Sequence, residues 1–251
     1  MNQLPVSIVM PVHNAETVIG ETVNSVLSQS FGDFELIMVE DASTDGTLDK
    51  LKELAAKDER ITVIVNNGKH GAAHARNLGI KLAQGRYLAY LDADDIWHKD
   101  KLEKTLCFLK EHDASFVFTA YEFGDEQAKG TGKIVKVPPV LDYAHALTRT
   151  IIFTSTVMLD LEKLGKKLVY MPAVPSEDTA SWWRILRSGI KAYGLNENLV
   201  TYRRAGKSLS SNKLVAVKRI WYLYRRQARL GILKSIICMF GWGVRAVSRR
   251  I

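Results

Sequence analysis

Residues 87–95 read Tyr87-Leu88-Ala89-Tyr90-Leu91-Asp92-Ala93-Asp94-Asp95, an apolar run that ends in three carboxylates within four positions. An apolar run this short, bounded by polar turn residues, has the length of a buried strand rather than of a helix. Its end admits two local readings. Asp is favoured at a helix N-cap, so the cluster can open the next helix. Alternatively, three like charges at a strand end call for a counter-charge. A hard divalent cation supplies it, and Mg²⁺ takes one or two protein carboxylates beside the phosphates of a substrate.

The same strand-then-polar-turn unit recurs on the N-terminal side. Residues 6–12 are apolar and rich in β-branched side chains and lead into His13-Asn14, while residues 34–39 lead into Glu40-Asp41. Strands are also expected over 61–65, 115–120 and 151–160. Helical spacing of apolar residues predicts helices over 16–29, 47–57, 72–83 and 101–110, and a further helix over 181–187. Residues 121–140, charged and interrupted by Gly and Pro, read as an irregular excursion. Strands alternating with helices predict an α/β fold, with a mostly parallel central sheet and helices on both faces. Ligands in such folds sit outside the carboxyl ends of the strands. His13-Asn14, Glu40-Asp41 and residues 92–95 all follow strands, so they should converge on one crevice. No G-x-G-x-x-G fingerprint follows the first strand and no Lys-Ser/Thr phosphate loop occurs, which excludes an ordinary dinucleotide or ATPase site.

With 251 residues, 47% apolar and 25% charged, the chain is long and apolar enough for one substantial core. Cys107 and Cys238 match no metal or redox spacing and point to a reducing compartment. Residues 1–5 hold no basic region followed by an apolar core, so no signal peptide is expected. The net charge of +8 is unevenly placed. Residues 201–251 carry 13 Lys/Arg and no Asp/Glu, leaving 22 basic against 27 acidic residues before them, a formal −5. This contrast divides the chain into a catalytic domain, residues 1–200, and a basic amphipathic helical C-terminal extension, residues 201–251. Within the extension, Ile220, Trp221, Leu223 and Tyr224 alternate with Lys218, Arg219, Arg225 and Arg226, and residues 231–247 are largely apolar. No apolar stretch there is long enough to span a bilayer. The pattern fits a helix lying on an anionic membrane surface, or a helix packed on the catalytic domain or an envelope-assembly partner. Nucleic acid is not expected as a partner, because no recognition module is present and the tail is too apolar for a phosphate-tracking arm.

Taken in order, residues 6–14 (Val6-Ser7-Ile8-Val9-Met10-Pro11-Val12-His13-Asn14), Glu40-Asp41-Ala42-Ser43-Thr44-Asp45, Ala75-Arg76-Asn77, Gly85-Arg86-Tyr87, residues 91–95, and Glu177-Asp178 before Trp182-Trp183 resemble one family. It is the family 2 glycosyltransferases, nucleotide-sugar-dependent enzymes of the GT-A fold. The chain is most similar to bacterial members that build surface polysaccharides, including the teichuronic-acid type. The resemblance covers about residues 6–202. It implies a nucleotide pocket lined by Pro11, His13, Asp41, Arg76, Asp92 and Ala93. In that pocket Asp41 would accept the base N–H of uridine, Arg76 would lie near the phosphates and Asp92 by the ribose. It further implies Asp94 as the carboxylate for Mn²⁺ or Mg²⁺, Asp95 near the sugar or the metal shell, and Asp178 as catalytic base. Glu177 would touch the acceptor or serve structure, and Trp182 and Trp183 would pack under the acceptor site or stack on a sugar. The pattern departs from the family at two places: His13 stands where tyrosine is common, and Glu40-Asp41 replaces the usual Asp pair.

The implied activity is a metal-dependent inverting transfer of a hexosyl or N-acetylhexosaminyl group from a UDP-sugar. The implied acceptor is a growing surface polysaccharide or lipid-linked glycan, met by a cytoplasmic enzyme peripheral to the inner face of the cytoplasmic membrane. Two other classes compete. A sugar-phosphate nucleotidyltransferase would carry a Gly-rich, basic loop where this chain has Pro11-Val12-His13-Asn14. A catalytically inactive glycan-binding or scaffold domain would have no need of a separate base such as Asp178. His70 and His74, four apart, lack the H-E-x-x-H pattern and read as surface or loop residues.

Overall fold

The computed structural model describes residues 6–204 and 213–248. The N-terminal stretch in which no signal peptide is expected, and residues 205–212 and 249–251 of the basic extension, lie outside the described residues. Four apolar runs become strands at the expected places: β1 (Val6–Val12), β2 (Phe34–Glu40), β3 (Ile61–Val65) and β4 (Tyr87–Tyr90). Helices α1 (Ile19–Leu27), α2 (Thr47–Ala55) and α3 (Ala72–Leu82) connect them. These strands pair in parallel in the order β3-β2-β1-β4. Every residue of β1 except Pro11 is buried, and all of β2 is, as expected of parallel strands with both faces covered.

Beyond this half the sheet is mixed rather than mostly parallel. After β5 (Ile96–Trp97), α4 (Lys101–Glu111) and β6 (Phe116–Gly124), a return strand β7 (Gly130–Val135) pairs antiparallel with β6. The expected irregular excursion is therefore partly a hairpin. Next come β8 (Val140–Leu141), α5 (Tyr143–Leu147) and β9 (Met158–Asp160). The strand expected over 151–160 shrinks to its last three residues, because Thr154, Ser155 and Thr156 form a buried 3₁₀ turn. Short β9 wedges antiparallel between β4 and β6, which breaks the parallel run. Helices α6 (Leu161–Leu164), α7 (Lys166–Val169) and α8 (Glu177–Arg187) precede β10 (Ala192–Arg203), which lies parallel to β6 and antiparallel to β5 and β8. Among the described residues the last two helices are α9 (Lys213–Tyr222) and α10 (Ile232–Ser248), with a π-helical turn over Leu223–Gln227 between them.

Two small contacts fix the elements that carry the site. Ser7 Oγ donates to Glu35 Oε1 at 2.5 Å and accepts the Gly85 N–H at 2.8 Å, while Glu35 also accepts the Gln84 N–H at 2.6 Å. The turn entering β4 is thereby bolted to β1 and β2. Helix α3 lies on β1 through Gly79, where an added Cβ would stand 2.5 Å from Val9 Cγ1. Gly79→Ala is therefore expected to lower the unfolding free energy by about 1–3 kcal/mol through overpacking. The urea midpoint measures it, with the far-ultraviolet circular dichroism of the native state unchanged.

Candidate active site

Because β1, β2 and β4 are parallel neighbours, their carboxyl ends open on one edge of the sheet. Three backbones at this edge are bent into the left-handed region: Asn14 (φ 49°), Ala42 (φ 58°) and Ser176 (φ 56°). Non-glycine residues held there store strain, which gathers at functional sites. A hydrogen-bonded web holds the loops after β1 and β2 together. His13 Nδ1 donates to the Asp41 carbonyl at 2.8 Å, and Asn14 Nδ2 donates to His13 Nε2 at 3.2 Å, which assigns the Nδ1–H tautomer. Asn14 Oδ1 in turn accepts the Thr44 N–H at 2.8 Å. Pro11 is half-buried beneath, and the ring of His13 is exposed.

Asp41 is buried and accepts from Asn66 Nδ2 at 2.7 Å, the Gly71 N–H at 2.7 Å and His70 Nδ1 at 3.0 Å. Burial pushes its pKa up, but the Gly71 N–H, His70 and Asn66 outweigh burial and hold the carboxyl below the usual range. A carboxylate has about four acceptor positions, so one remains for a further N–H. Asn66 is not singled out by the sequence, and His70, weighed with His74, reads there as a surface or loop residue; their contact with Asp41 reveals both.

Arg76 joins the two ends of the site. It is 5% exposed, and its Nη2 donates to Asp92 Oδ1 at 2.6 Å while Nη1 donates to Glu177 Oε1 at 2.8 Å. Burial works against its charge, yet Asp92 and Glu177, with Asp178 beyond them, raise its pKa further still. The guanidinium thus fastens the start of α8 to the end of β4. Asn77, next in sequence, adds two bonds of 2.7 Å to the Met171 backbone ahead of α8. Asp178 is half-buried, and its Oδ1 accepts the Thr179 N–H at 2.6 Å. Burial and the adjacent Glu177 raise its pKa, opposed by the Thr179 N–H and Arg76.

The acidic loop separates its three carboxylates. Asp92 faces Arg76, and its own N–H donates to Ser155 Oγ at 3.1 Å. Ala93 is half-buried, its carbonyl taken by Thr22 Oγ1 at 2.9 Å. Asp95 is fully buried, accepting from Ser155 Oγ at 2.5 Å and the Arg203 N–H at 3.2 Å; burial and the charges of Asp92 and Asp94 push its pKa well up. Asp94 is exposed, and no side chain of another described residue bonds to its carboxylate. The surrounding protein mass and Asp92 raise its pKa. Arg203 is the clamp that the sequence reading passed over. Its Nε donates to the Asp94 carbonyl at 2.8 Å, Nη1 to the Glu126 carbonyl at 2.8 Å and Nη2 to Glu21 Oε2 at 2.6 Å.

Trp182 and Trp183 are both buried. Trp182 packs against Phe116 and Tyr90 with ring centroids 5.3 and 5.8 Å away, and Trp183 stacks on Tyr224 at 5.3 Å. Neither ring is open to a sugar. Among the described residues no group of three or more His, Cys, Asp or Glu side chains is gathered to hold a metal ion. The donor set still fits an ion that shares its shell with a diphosphate, since Mg²⁺ uses one or two carboxylates and fills the rest with phosphate and water. Asp94, exposed and unbonded beside Asp92, has that character.

Comparison with known proteins bears on the fold that carries these residues. The family described as Glycosyl transferase family 2 matches residues 7–157. The Bacillus subtilis (strain 168) glycosyltransferase TuaG, assigned to teichuronic acid biosynthesis, is 43% identical over 98% of this chain and 97% of its own. The Escherichia coli UDP-Glc:alpha-D-GlcNAc-diphosphoundecaprenol beta-1,3-glucosyltransferase WfaP is 35% identical over 95% of this chain and 92% of its own. Among solved structures, the mannosyltransferase PcManGT of Pyrobaculum calidifontis, in complex with GDP-Man and Mn²⁺, shares the fold. Its TM-score is 0.72 at 19% identity, over 98% of this chain and 74% of that one.

Removing one partner of a buried ion pair leaves the other charges uncompensated and costs about 3–5 kcal/mol. Arg76→Ala is expected to lose stability on that scale, measured by chemical denaturation at neutral pH. The loss should shrink on acidification, because protonating the carboxylates removes the repulsion that Arg76 offsets.

Proposed function

Since the chain belongs to glycosyltransferase family 2, we propose that it moves one hexosyl or N-acetylhexosaminyl group from a UDP-sugar to a hydroxyl of a growing surface polysaccharide or lipid-linked glycan, with inversion at the anomeric carbon. Transfer from a nucleotide-sugar donor follows from the family. The choice of UDP and of this acceptor class is supported by the names of the two relatives, one tied to teichuronic acid and one to UDP-Glc and a diphosphoundecaprenol-linked GlcNAc. One observation carries the reading to this chain: Arg76 grips Asp92 on the nucleotide side and Glu177, 101 positions further on, beside the acceptor-side carboxylate Asp178.

In this mechanism Asp41 accepts the base N–H, with His13 and Pro11 beside the base. Asp92 and Ala93 border the ribose. Arg76 acts by holding Asp92 and Glu177, and Asp95 acts by fixing the loop from inside. The acceptor hydroxyl attacks the anomeric carbon in line as its proton passes to the Asp178 carboxylate. The bond to the diphosphate oxygen breaks with its electron pair, leaving UDP and an inverted glycoside. A raised pKa suits Asp178 to this work, since a general base is most effective when its pKa approaches the working pH. Asp94 would hold Mn²⁺ or Mg²⁺, which when bound offsets the charge on the departing diphosphate. The proposal places the enzyme at the inner face of the cytoplasmic membrane, where lipid-borne acceptors are met.

A panel of UDP-sugars with Mn²⁺ or Mg²⁺, read by UDP release and product mass, tests the donor assignment; release from none of them would reject it. Asp178→Asn is expected to lower kcat by about 10²–10⁴-fold, with UDP binding by calorimetry nearly unchanged. Only the ionised carboxylate takes the proton, so kcat/KM must rise with pH through the Asp178 pKa. Because burial and Glu177 raise that pKa, the acidic limb should lie above the ordinary Asp value of 3.8. Asp94→Ala is expected to abolish the Mn²⁺ dependence of UDP binding, and unaltered Mn²⁺ dependence would reject the metal role.

A further inference from the structure

Helix α10 has two apolar faces. The inner one carries Ser235 and Cys238, both buried, with Met239 and Trp242 partly so. It is fastened to the chain after α5: Trp242 Nε1 donates to Thr150 Oγ1 at 2.9 Å and Arg245 Nη1 to Thr148 Oγ1 at 2.7 Å, while Gly241 lets the helix lie close on Thr148. The outer face covers nothing among the described residues. Leu233, Ile237, Phe240 and Val244 recur there at spacings of three and four, exposed by 73%, 62%, 76% and 55%. Isolated exposed apolar residues need no explanation, but a continuous stripe marks a contact surface.

Charge selects the occupant. No Asp or Glu occurs from residue 201 onward, and Lys234 lies on the same helix as the stripe. On α9 and the following turn, Lys218, Trp221, Tyr222, Arg225 and Arg226 line one open cleft. A second copy docking through this face would bring two wholly basic helices together. An anionic lipid layer complements both properties at once, with acyl chains for the stripe and headgroups for the cations. No described helix is long and apolar enough to cross the bilayer, so the contact is parallel to the surface.

We propose that α10 seats the protein on an anionic membrane through the stripe of Leu233, Ile237, Phe240 and Val244. The inner face sets this seating beside the catalytic crevice. The chain that α10 grips continues through Ile151 and Ile152 to Ser155, which holds the acidic loop, and Arg149, Thr150 and Thr179 line one small cavity next to Asp178. Membrane contact is thus built onto the acceptor side; this last step rests on the lipid-linked acceptor proposed above.

Vesicle flotation of the full chain tests the proposal. Binding is expected to vesicles of phosphatidylcholine with phosphatidylglycerol, to weaken as salt is raised, and to fall at least about tenfold on phosphatidylcholine alone, since each surface cation adds roughly fivefold. Leu233→Glu with Phe240→Glu, two exposed positions, should abolish flotation while leaving UDP release from the donor sugar unchanged. Lys218→Glu with Arg226→Glu should weaken flotation on anionic vesicles about tenfold or more without touching the stripe. Undiminished flotation of the stripe variant, or equal flotation on neutral vesicles, would overturn the proposal. So would a dimer in solution that the stripe variant dissolves while the wild type ignores vesicles. Failure of sugar transfer with flotation intact would instead count against the proposed chemistry alone.

Discussion

A single buried guanidinium decides how this protein is put together. Arg76 sits on α3, the helix lying on the first parallel strands, and reaches both a carboxylate at the end of β4 and one at the start of α8. Taking three charges out of water is expensive, and a hydrophobic replacement would often cost less stability. The return is positional. Without the guanidinium, Asp92, Glu177 and Asp178 would repel one another, and the helix carrying Asp178 would have no electrostatic reason to approach the carboxyl end of β4. Position also explains why arginine stands there, because a planar fork can address two carboxylates in fixed directions as an ammonium cannot.

The acidic loop shows the same economy of placement. Its carboxylates are adjacent in sequence but have three different fates. Asp95 is drawn inside by Ser155 and the Arg203 backbone, Asp92 is turned to Arg76, and Asp94 is left facing outward. The inward pull on Asp95 sets the outward aim of Asp94, since the two are neighbours on a tight turn. Ser155 serves Asp92 and Asp95 together, so the buried 3₁₀ turn that displaces an expected strand is there to hold this loop.

Much of this was legible in the sequence, and the rest was hidden for identifiable reasons. β1, β2 and β4 announce themselves because strands buried on both faces are largely apolar, and the polar residues at their ends then point to the crevice; β3, at the sheet edge and partly exposed, is legible from its β-branched run alone. The mixed half is less visible. β10, the longest strand, carries Asn196-Glu197-Asn198 at its middle and shifts register twice against β6, so no apolar alternation survives. β9 is three residues long, below any periodicity. For the site, Asp41, Asp92, Asp94 and Asp178 were nominated by their place in ordered motifs. Asn66, His70 and Arg203 were not, because their roles exist only as contacts with groups distant in sequence. Trp182 and Trp183 are buried, in line with the reading that they pack rather than stack on a sugar.

The disposition of charge ties the crevice to the tail. A nucleotide diphosphate is strongly anionic, yet the domain that takes it is net acidic before residue 201 and presents carboxylates at its strand ends. The buried arginines nearest to hand are already committed: Arg76 to Asp92 and Glu177, Arg203 to Glu21 and two carbonyls. In the proposed mechanism, neutralising the diphosphate would fall to an ion at Asp94, whose carboxylate no other described side chain bonds. The 22 Lys/Arg before residue 201 are outnumbered there by 27 Asp/Glu, whereas the 13 from residue 201 onward are accompanied by none. Segregated in this way, positive charge would hold the protein to the proposed anionic surface while the crevice would keep a negative field to recruit the proposed metal.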